Sequence, residues 1–412
     1  MVNFVIRNFD GFARSVHMKP VFRMSASQRS SGIPLSGIRY VFEKAQKMTG
    51  LVRLELGEPD FETPRHIREA AKRALDKGFT HYTSSQGLLE LRTELARKLE
   101  RDNAIAANPD TEIIVTAGAC CAIDLAMLAL VNPGDEVLLP DPAWPHYEPC
   151  AKLADARVVR YPMTEEDNFT PDIQAVIERI TSKTKILLIN SPSNPTGSVI
   201  NMSTLKEIAN LAEQYNLIVI SDEVYEKLIY SGESYQSFAA INGMGERTIT
   251  INAFSKTYAM TGWRLGYAVA RANIITEMTK LNLYANTCAN SVAQVSGIEA
   301  LTGPQDCVGE MVQEYDRRRR YVMERSMKLP SISFPQPRGA FYIFPNVSKL
   351  GMSSMDFCLH LLENGRVSTV PGSAFGKQGE GHLRISYAAS MENLKEGFDR
   401  LERVVSNLSS RT

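Results

Sequence analysis

Several things are missing from this sequence, and each absence narrows what the chain can be. Net charge is missing: 46 Lys and Arg stand against 46 Asp and Glu across 412 residues, so no overall field draws in nucleic acid or an anionic membrane. No stretch approaches the roughly 20 apolar residues of a membrane span. The six cysteines, at 120, 121, 150, 288, 307 and 358, lack Cys-x-x-Cys spacing. That argues against a zinc site, leaves no metal expected, and reads the thiols as reduced, buried residues of a cytoplasmic protein. Internal repeats and low-complexity segments are absent too. What remains is a chain of 44% apolar residues, long enough for two compact lobes, whose partners are expected to be small molecules.

The first residues carry Arg7, Arg14, Lys19, Arg23 and Arg29 against the single acid Asp10. That balance suits an organelle transit segment, but it comes without an apolar core or a cleavage site. We therefore read residues 1–30 as an extension, disordered or lying across a partner subunit, or as sequence ahead of a working start at Met18 or Met24.

Helical spacing marks Arg65 to Lys77 and Leu88 to Arg101. From Glu112 the pattern changes to short β-rich runs at 113–115, 136–139, 186–189, 217–220, 248–251 and 265–270, separated by helical stretches. Such alternation predicts an α/β fold with a mostly parallel sheet covered by helices, its ligands gathered beyond the strand carboxyl ends. Gly118, Trp144, Asn194, Asp222 and Lys256 each follow one of these runs. A smaller α+β lobe is expected after about residue 310, with a helix from Met311 to Met327, strands at 340–344, 367–370 and 382–386, and helices at 355–363 and 391–404. The run Arg317 to Arg320 reads as a solvated helix face. Residues 31–64 are expected to join 311–412 in this discontinuous small domain, leaving 65–310 as the large one.

The most informative stretch is Asn252 to Tyr267, Asn-Ala-Phe-Ser-Lys-Thr-Tyr-Ala-Met-Thr-Gly-Trp-Arg-Leu-Gly-Tyr. An amine in so apolar a segment is costly to keep charged, so the pKa of Lys256 is expected to fall toward the range of a nucleophile. Arg264 offers a planar fork for a phosphate, and Gly262 and Gly266 remove side chains near it. Asp222 ends an apolar strand and needs a cationic partner. Thr116 to Cys121 runs from a strand into an apolar helix, aiming the N–H groups of Ala119 and Cys120 at an anion. Arg384 alternates into an apolar strand and wants a bidentate anion. Taken singly, these residues read equally well as caps, core or turns.

Together the Ser-Lys-Thr-Tyr-Ala-Met-Thr-Gly-Trp-Arg-Leu-Gly-Tyr segment and its companions resemble the cofactor-lysine signature of class I aminotransferases, the fold type I pyridoxal-phosphate enzymes. The resemblance runs from about Ser36 to about Val405 and is nearest to the aspartate and aromatic branch of archaea and bacteria. It implies a seven-stranded sheet and a cofactor held by Lys256 as an imine, with its ring nitrogen on Asp222 and its 3-oxygen on Tyr225 and Asn194. It also implies a ring face on Trp144 and a phosphate bound by Gly118, Ala119, Cys120, Arg264 and Ser255. Ser255 is assigned because Ala253 replaces a common hydroxyl, and in extended chain residue 255 points the way residue 253 does. Gly57, Trp144, Asn194 and Arg384 are implied at the substrate, with Arg384 on its carboxylate. Tyr82 is implied on the phosphate of a neighbouring subunit, hence a homodimer with shared sites. Cis bonds before Pro142 and Pro195 belong to the same likeness. The implied activity moves an amino group from an L-amino acid, aspartate or aromatic, to a 2-oxo acid such as 2-oxoglutarate by a ping-pong route. The alternatives are a β-lyase on the same scaffold or a non-catalytic regulator; the roughly 35 residues ahead of the likeness are too few for a winged DNA-binding head. The segment Leu281 to Asn290, where some aspartate enzymes carry a side-chain-binding arginine, holds no cation, which points to a permissive pocket.

Overall fold

The structure, a computed structural model, describes residues 26–33, 37–230, 232, 235–329 and 331–409. Contacts divide the chain into residues 1–34 and 35–412. Of the first unit the described part holds the short helix Gln28–Ser31; the rest of the expected extension, transit segment or later start lies outside the described residues. All that follows concerns the second unit.

Its described residues form twelve strands, β1 Val52–Arg53, β2 Ile113–Thr116, β3 Glu136–Asp141, β4 Arg157–Pro162, β5 Thr184–Asn190, β6 Ile218–Asp222, β7 Thr248–Ala253, β8 Gly266–Val269, β9 Tyr342–Ile343, β10 Val367–Ser368, β11 Val370–Pro371 and β12 Leu383–Ser386. Seven of them form one sheet in the order β2-β8-β7-β6-β5-β3-β4. All its pairings are parallel except those of β8, which runs against both neighbours. Successive side chains of a strand face opposite ways, and here both faces are apolar. Leu188 and Ile220 enter one core with the helix Gly118–Leu130, while Leu187 and Val219 enter another with the helix Met202–Gln214. The sequence reading of a buried, two-faced sheet holds, and β4, an edge strand of mixed exposure, is the one it missed.

A separate core joins Val41, Val52 and Leu54 to residues of the C-terminal hundred such as Phe341, Leu361, Leu394 and Leu401, and reaches Tyr225 and Leu228. Two small sheets, β1-β10 and β11-β12-β9, line it. The stretch 367–370, expected as one strand, is two, each in a different sheet. The Arg317–Arg320 run is not simply solvated. Arg318 is buried in ion pairs with Asp60 and Glu314, and Arg319 with Asp316, while Arg317 and Arg320 face water. Acids one helical turn away on Asp306–Met327 make that burial affordable.

Candidate active site

The carboxyl ends of β3, β5, β6 and β7 open into a cavity of about 380 Å³, a size suited to a small organic ligand. Asp222, Asn194, Tyr225, Trp144, Ala119, Cys120, Ser255, Lys256, Arg264, Arg384 and Gly57 all line it. Eleven of the thirteen residues singled out from the sequence therefore meet at one place. Gly118 stands just behind, in a left-handed conformation (φ 83°), and a Cβ there would lie 2.7 Å from Arg264 Nη2. Tyr82 is the exception: its side chain is 84% exposed and outside the cavity of its own chain.

Asp222 is the last residue of β6 and 2% exposed. Its Oδ2 accepts from Tyr147 Oη at 2.6 Å and its Oδ1 from the Val224 N–H at 3.3 Å. No cation is bonded to it among the described residues. Burial raises its pKa to about 6, and the Tyr147 hydrogen bond offsets part of that rise. Lys256 lies in the one-turn helix Phe254–Thr257 that follows β7. Its Nζ donates to the Gly57 carbonyl at 2.5 Å and lies 5.7 Å from the ring centres of Tyr225 and Phe341. Burial first, and the Arg384 charge after it, lower its pKa to about 8 against the opposing pull of Glu58. The site thus holds an acid short of a cation and an amine short of an anion.

Two guanidinium groups complete it. Arg264, exposed and left-handed (φ 53°), donates to the Thr261 carbonyl at 3.0 Å and meets Cys120 Sγ at 3.8 Å, with no acid bonded to it. A Cβ on Gly266 would lie 2.6 Å from the Ala119 nitrogen, so glycine there lets β8 close on the start of the helix Gly118–Leu130. The result is a cradle of helix-start N–H groups beside an unpaired guanidinium, which fits a phosphate dianion. Arg384, on β12, is 3% exposed and donates to Asn194 Oδ1 at 3.0 Å and to the Glu55 carbonyl at 2.6 Å. Its Nε is buried without a partner, and Arg384 too has no carboxylate beside it. A ligand with a phosphate, a cationic ring nitrogen, a carbonyl for an amine and a carboxylated substrate therefore fits the residues present.

The geometry corrects the argument made for Ser255. Residues 254–257 are helical, so Ser255 does not alternate with Ala253 as in extended chain; it reaches the cavity from a helical turn. Nor are all the thiols buried: every one of the six is free, but only Cys150 and Cys358 are fully buried. Cis bonds precede Pro142 and Pro195 as expected, and also Pro192. Sequence reasoning missed Tyr147 and Tyr342. Tyr147 is the first residue of the helix Tyr147–Leu153, three residues beyond Trp144. Tyr342 bonds Tyr225 Oη to Oη at 2.8 Å, and its ring lies 4.6 Å from the Arg384 guanidinium. It lies in the stretch 340–344 expected as a strand, but nothing there marked its hydroxyl.

Residues 49–401 match the family model described as aminotransferase class I and II. The aspartate aminotransferase of Pyrococcus horikoshii is 46% identical over 375 residues, covering 90% of this chain and 95% of that protein. Aromatic-amino-acid aminotransferase 2 of Thermococcus litoralis is 43% identical over 386 residues, covering 93% and 98%. Among solved structures, aspartate aminotransferase from Thermus thermophilus with maleate superposes with a TM-score of 0.89 at 36% identity, covering 93% of this chain and all of that one.

Proposed function

The chain belongs to the class I and II aminotransferases, pyridoxal-phosphate-dependent transaminases, and from that premise we propose which of its residues do the work and on what. The observation that carries the reading is one cavity holding a buried acid without a cation, an amine of lowered pKa and two guanidinium groups without acids. Pyridoxal phosphate, when bound, supplies a carbonyl carbon for an amine and a protonated ring that takes up the electron pair left by a departing proton. Arg264 and the N–H groups of Ala119 and Cys120, with Gly118 behind and Ser255 beside them, would hold its phosphate. Asp222, oriented by Tyr147, would keep the ring nitrogen protonated; Tyr225 and Asn194 would hold the 3-oxygen, and Trp144 would cover the ring face.

Lys256 Nζ would hold the cofactor by its carbonyl carbon and, when free, would carry the proton of the substrate Cα, work suited to an amine whose pKa lies at about 8. Arg384 grips the α-carboxylate by two N–H groups, with Asn194 and Gly57 alongside. The donors are aspartate or aromatic L-amino acids and the acceptor is a 2-oxo acid such as 2-oxoglutarate, in keeping with the names of the relatives. Tyr82 and Tyr284, 84% and 89% exposed, support a homodimer in which Tyr82 reaches the partner's phosphate. No described helix is long and apolar enough to cross a membrane, which supports a cytoplasmic enzyme. For the small domain, 31–64 with 311–412, the support is the core that joins Val41, Val52 and Leu54 to the C-terminal stretch.

The test is a half-reaction. Holoenzyme given L-aspartate or L-phenylalanine without an acceptor is expected to release one oxo acid per chain and no ammonia, then stop until 2-oxoglutarate is added. Failure of this half-reaction, with continued release of pyruvate and ammonia from a donor that carries a β-leaving group such as L-cystathionine, would mean a β-lyase.

A further inference from the structure

Next to Trp144 and Tyr147, three donor groups converge from two helices. Asp124 lies on Gly118–Leu130; His146 precedes and Cys150 lies within Tyr147–Leu153. Their ligand atoms are all within 4.8 Å of one another. His146 Nε2 and Asp124 Oδ1 stand 3.7 Å apart, too far for a hydrogen bond. That nitrogen is buried and has no hydrogen-bond partner at all. Two protein donors on one tetrahedral zinc ion, with bonds of about 2.0–2.3 Å, lie roughly 3.4–3.6 Å apart, so the nitrogen and the oxygen are already close to that spacing. Cys150 Sγ donates to the His146 carbonyl at 3.0 Å, which ties the sulfur to the same turn.

We propose that Asp124, His146 and Cys150 form a binding site for one zinc-class divalent cation per chain. A thiolate, an imidazole and a carboxylate select zinc or cobalt over magnesium or calcium, which prefer all-oxygen sets. On binding, the sulfur–hydrogen bond breaks, the proton leaves to solvent and a metal–sulfur bond forms; the neutral imidazole gives up none. Asp124 and His146 are 41% and 30% exposed, which leaves a route of entry and a fourth position for water. The Cys-x-x-Cys spacing whose absence argued against zinc is not required, because the helix supplies His146 and Cys150 four residues apart and on one face, and the neighbouring helix brings Asp124. The Trp144 ring, which lines the cavity, lies 4.8 Å from the His146 ring.

The experiment titrates cobalt(II) into metal-free holoenzyme and follows the visible ligand-field bands of four-coordinate cobalt. The expected result is saturation at one ion per chain, with bleaching by equimolar zinc. His146→Ala and Cys150→Ser are expected to abolish the bands, and Asp124→Asn to weaken binding at least about tenfold. His146→Ala replaces a partly exposed ring, and its melting curve shows whether that variant is folded even if Cys150→Ser is not. Absent bands in wild type, or bands that persist in folded His146→Ala because the cofactor or other thiols hold the metal, would overturn the proposal.

Discussion

Asp222 and Glu226 lie four residues apart, are both buried, and are provided for in different ways. Glu226 accepts from Lys98 Nζ on one oxygen and from Asn103 Nδ2 at 2.6 Å on the other, and Lys98 in turn bonds Asn103 at 2.8 Å and Tyr267 at 3.4 Å. Asp222 has a phenol and one backbone N–H, and no cation. A closed network of this kind offsets the desolvation of its charges from within and has nothing left to offer a ligand. An acid left with a raised pKa has its compensation still to come. The difference separates a structural ion pair from a binding group inside one core, and it also applies to Arg318, with two acids, against Arg384, with none.

The largest expected effect is at Lys256. Lys256→Ala is expected to lower turnover at least about ten-thousandfold and to remove the absorbance of covalently held cofactor, with an unchanged circular dichroism spectrum. Asp222→Asn is expected to cut turnover by about a hundredfold to ten-thousandfold while leaving cofactor bound. In the apoprotein the same change is expected to stabilise. With the folded pKa at about 6 against the ordinary 3.8, the native state binds more protons than the unfolded one between those values. Stability therefore falls as pH rises through that window, by roughly 3 kcal/mol in all. Asp222→Asn should abolish that slope in urea melts. Glu226→Gln should do the opposite, costing about 3–5 kcal/mol by leaving Lys98 buried and uncompensated, with the folded fraction still turning over normally. If both variants shift stability in the same direction, the distinction drawn between the two acids fails.

A smaller effect follows from Lys256 before the cofactor is attached. Only the neutral amine attacks a carbonyl, so with a pKa of about 8 the rate of reconstitution from apoenzyme is expected to rise about tenfold per pH unit below that value and to level off above it. A rise continuing past pH 10 would show an ordinary lysine.

The sheet was legible in the sequence because its strands are continuous apolar runs, and the residues after them are where a parallel sheet gathers ligands. β4 was not legible, since an edge strand whose Val158 and Val159 are flanked by Arg157 and Arg160 has no buried run. Lys256, Asp222 and Arg384 were legible as charges set in apolar surroundings. Tyr147 and Tyr342 were not, because a tyrosine among apolar neighbours carries no sign that its hydroxyl will meet Asp222 or Tyr225. The Arg317–Arg320 run misled because the helix buries two of its members, one of them against Asp60, an acid that sequence distance hides.

The same contrast between compensated and uncompensated charge bears on the substrate's side chain, where the smallest differences are expected. The segment 281–290 puts no cation near the cavity, and the cavity wall beyond Arg384 includes Ile38, Phe42, Leu56 and Tyr342. Arg39 is 73% exposed and occupied by Glu43 at 2.8 Å, free to swing but not fixed. A fixed, buried arginine would reward a second carboxylate and be left unpaired by a neutral side chain, a penalty of several kcal/mol. Without one, that penalty vanishes and discrimination rests on packing, which is worth about 10- to 200-fold. We therefore expect kcat/KM for aspartate, phenylalanine, tyrosine and alanine with 2-oxoglutarate to fall within about two orders of magnitude of one another. Arg39→Ala should lower the aspartate value and leave phenylalanine untouched. A preference for aspartate above roughly ten-thousandfold, the size that a dedicated charged contact produces, would mean that a compensating cation is present after all and that the pocket is not permissive.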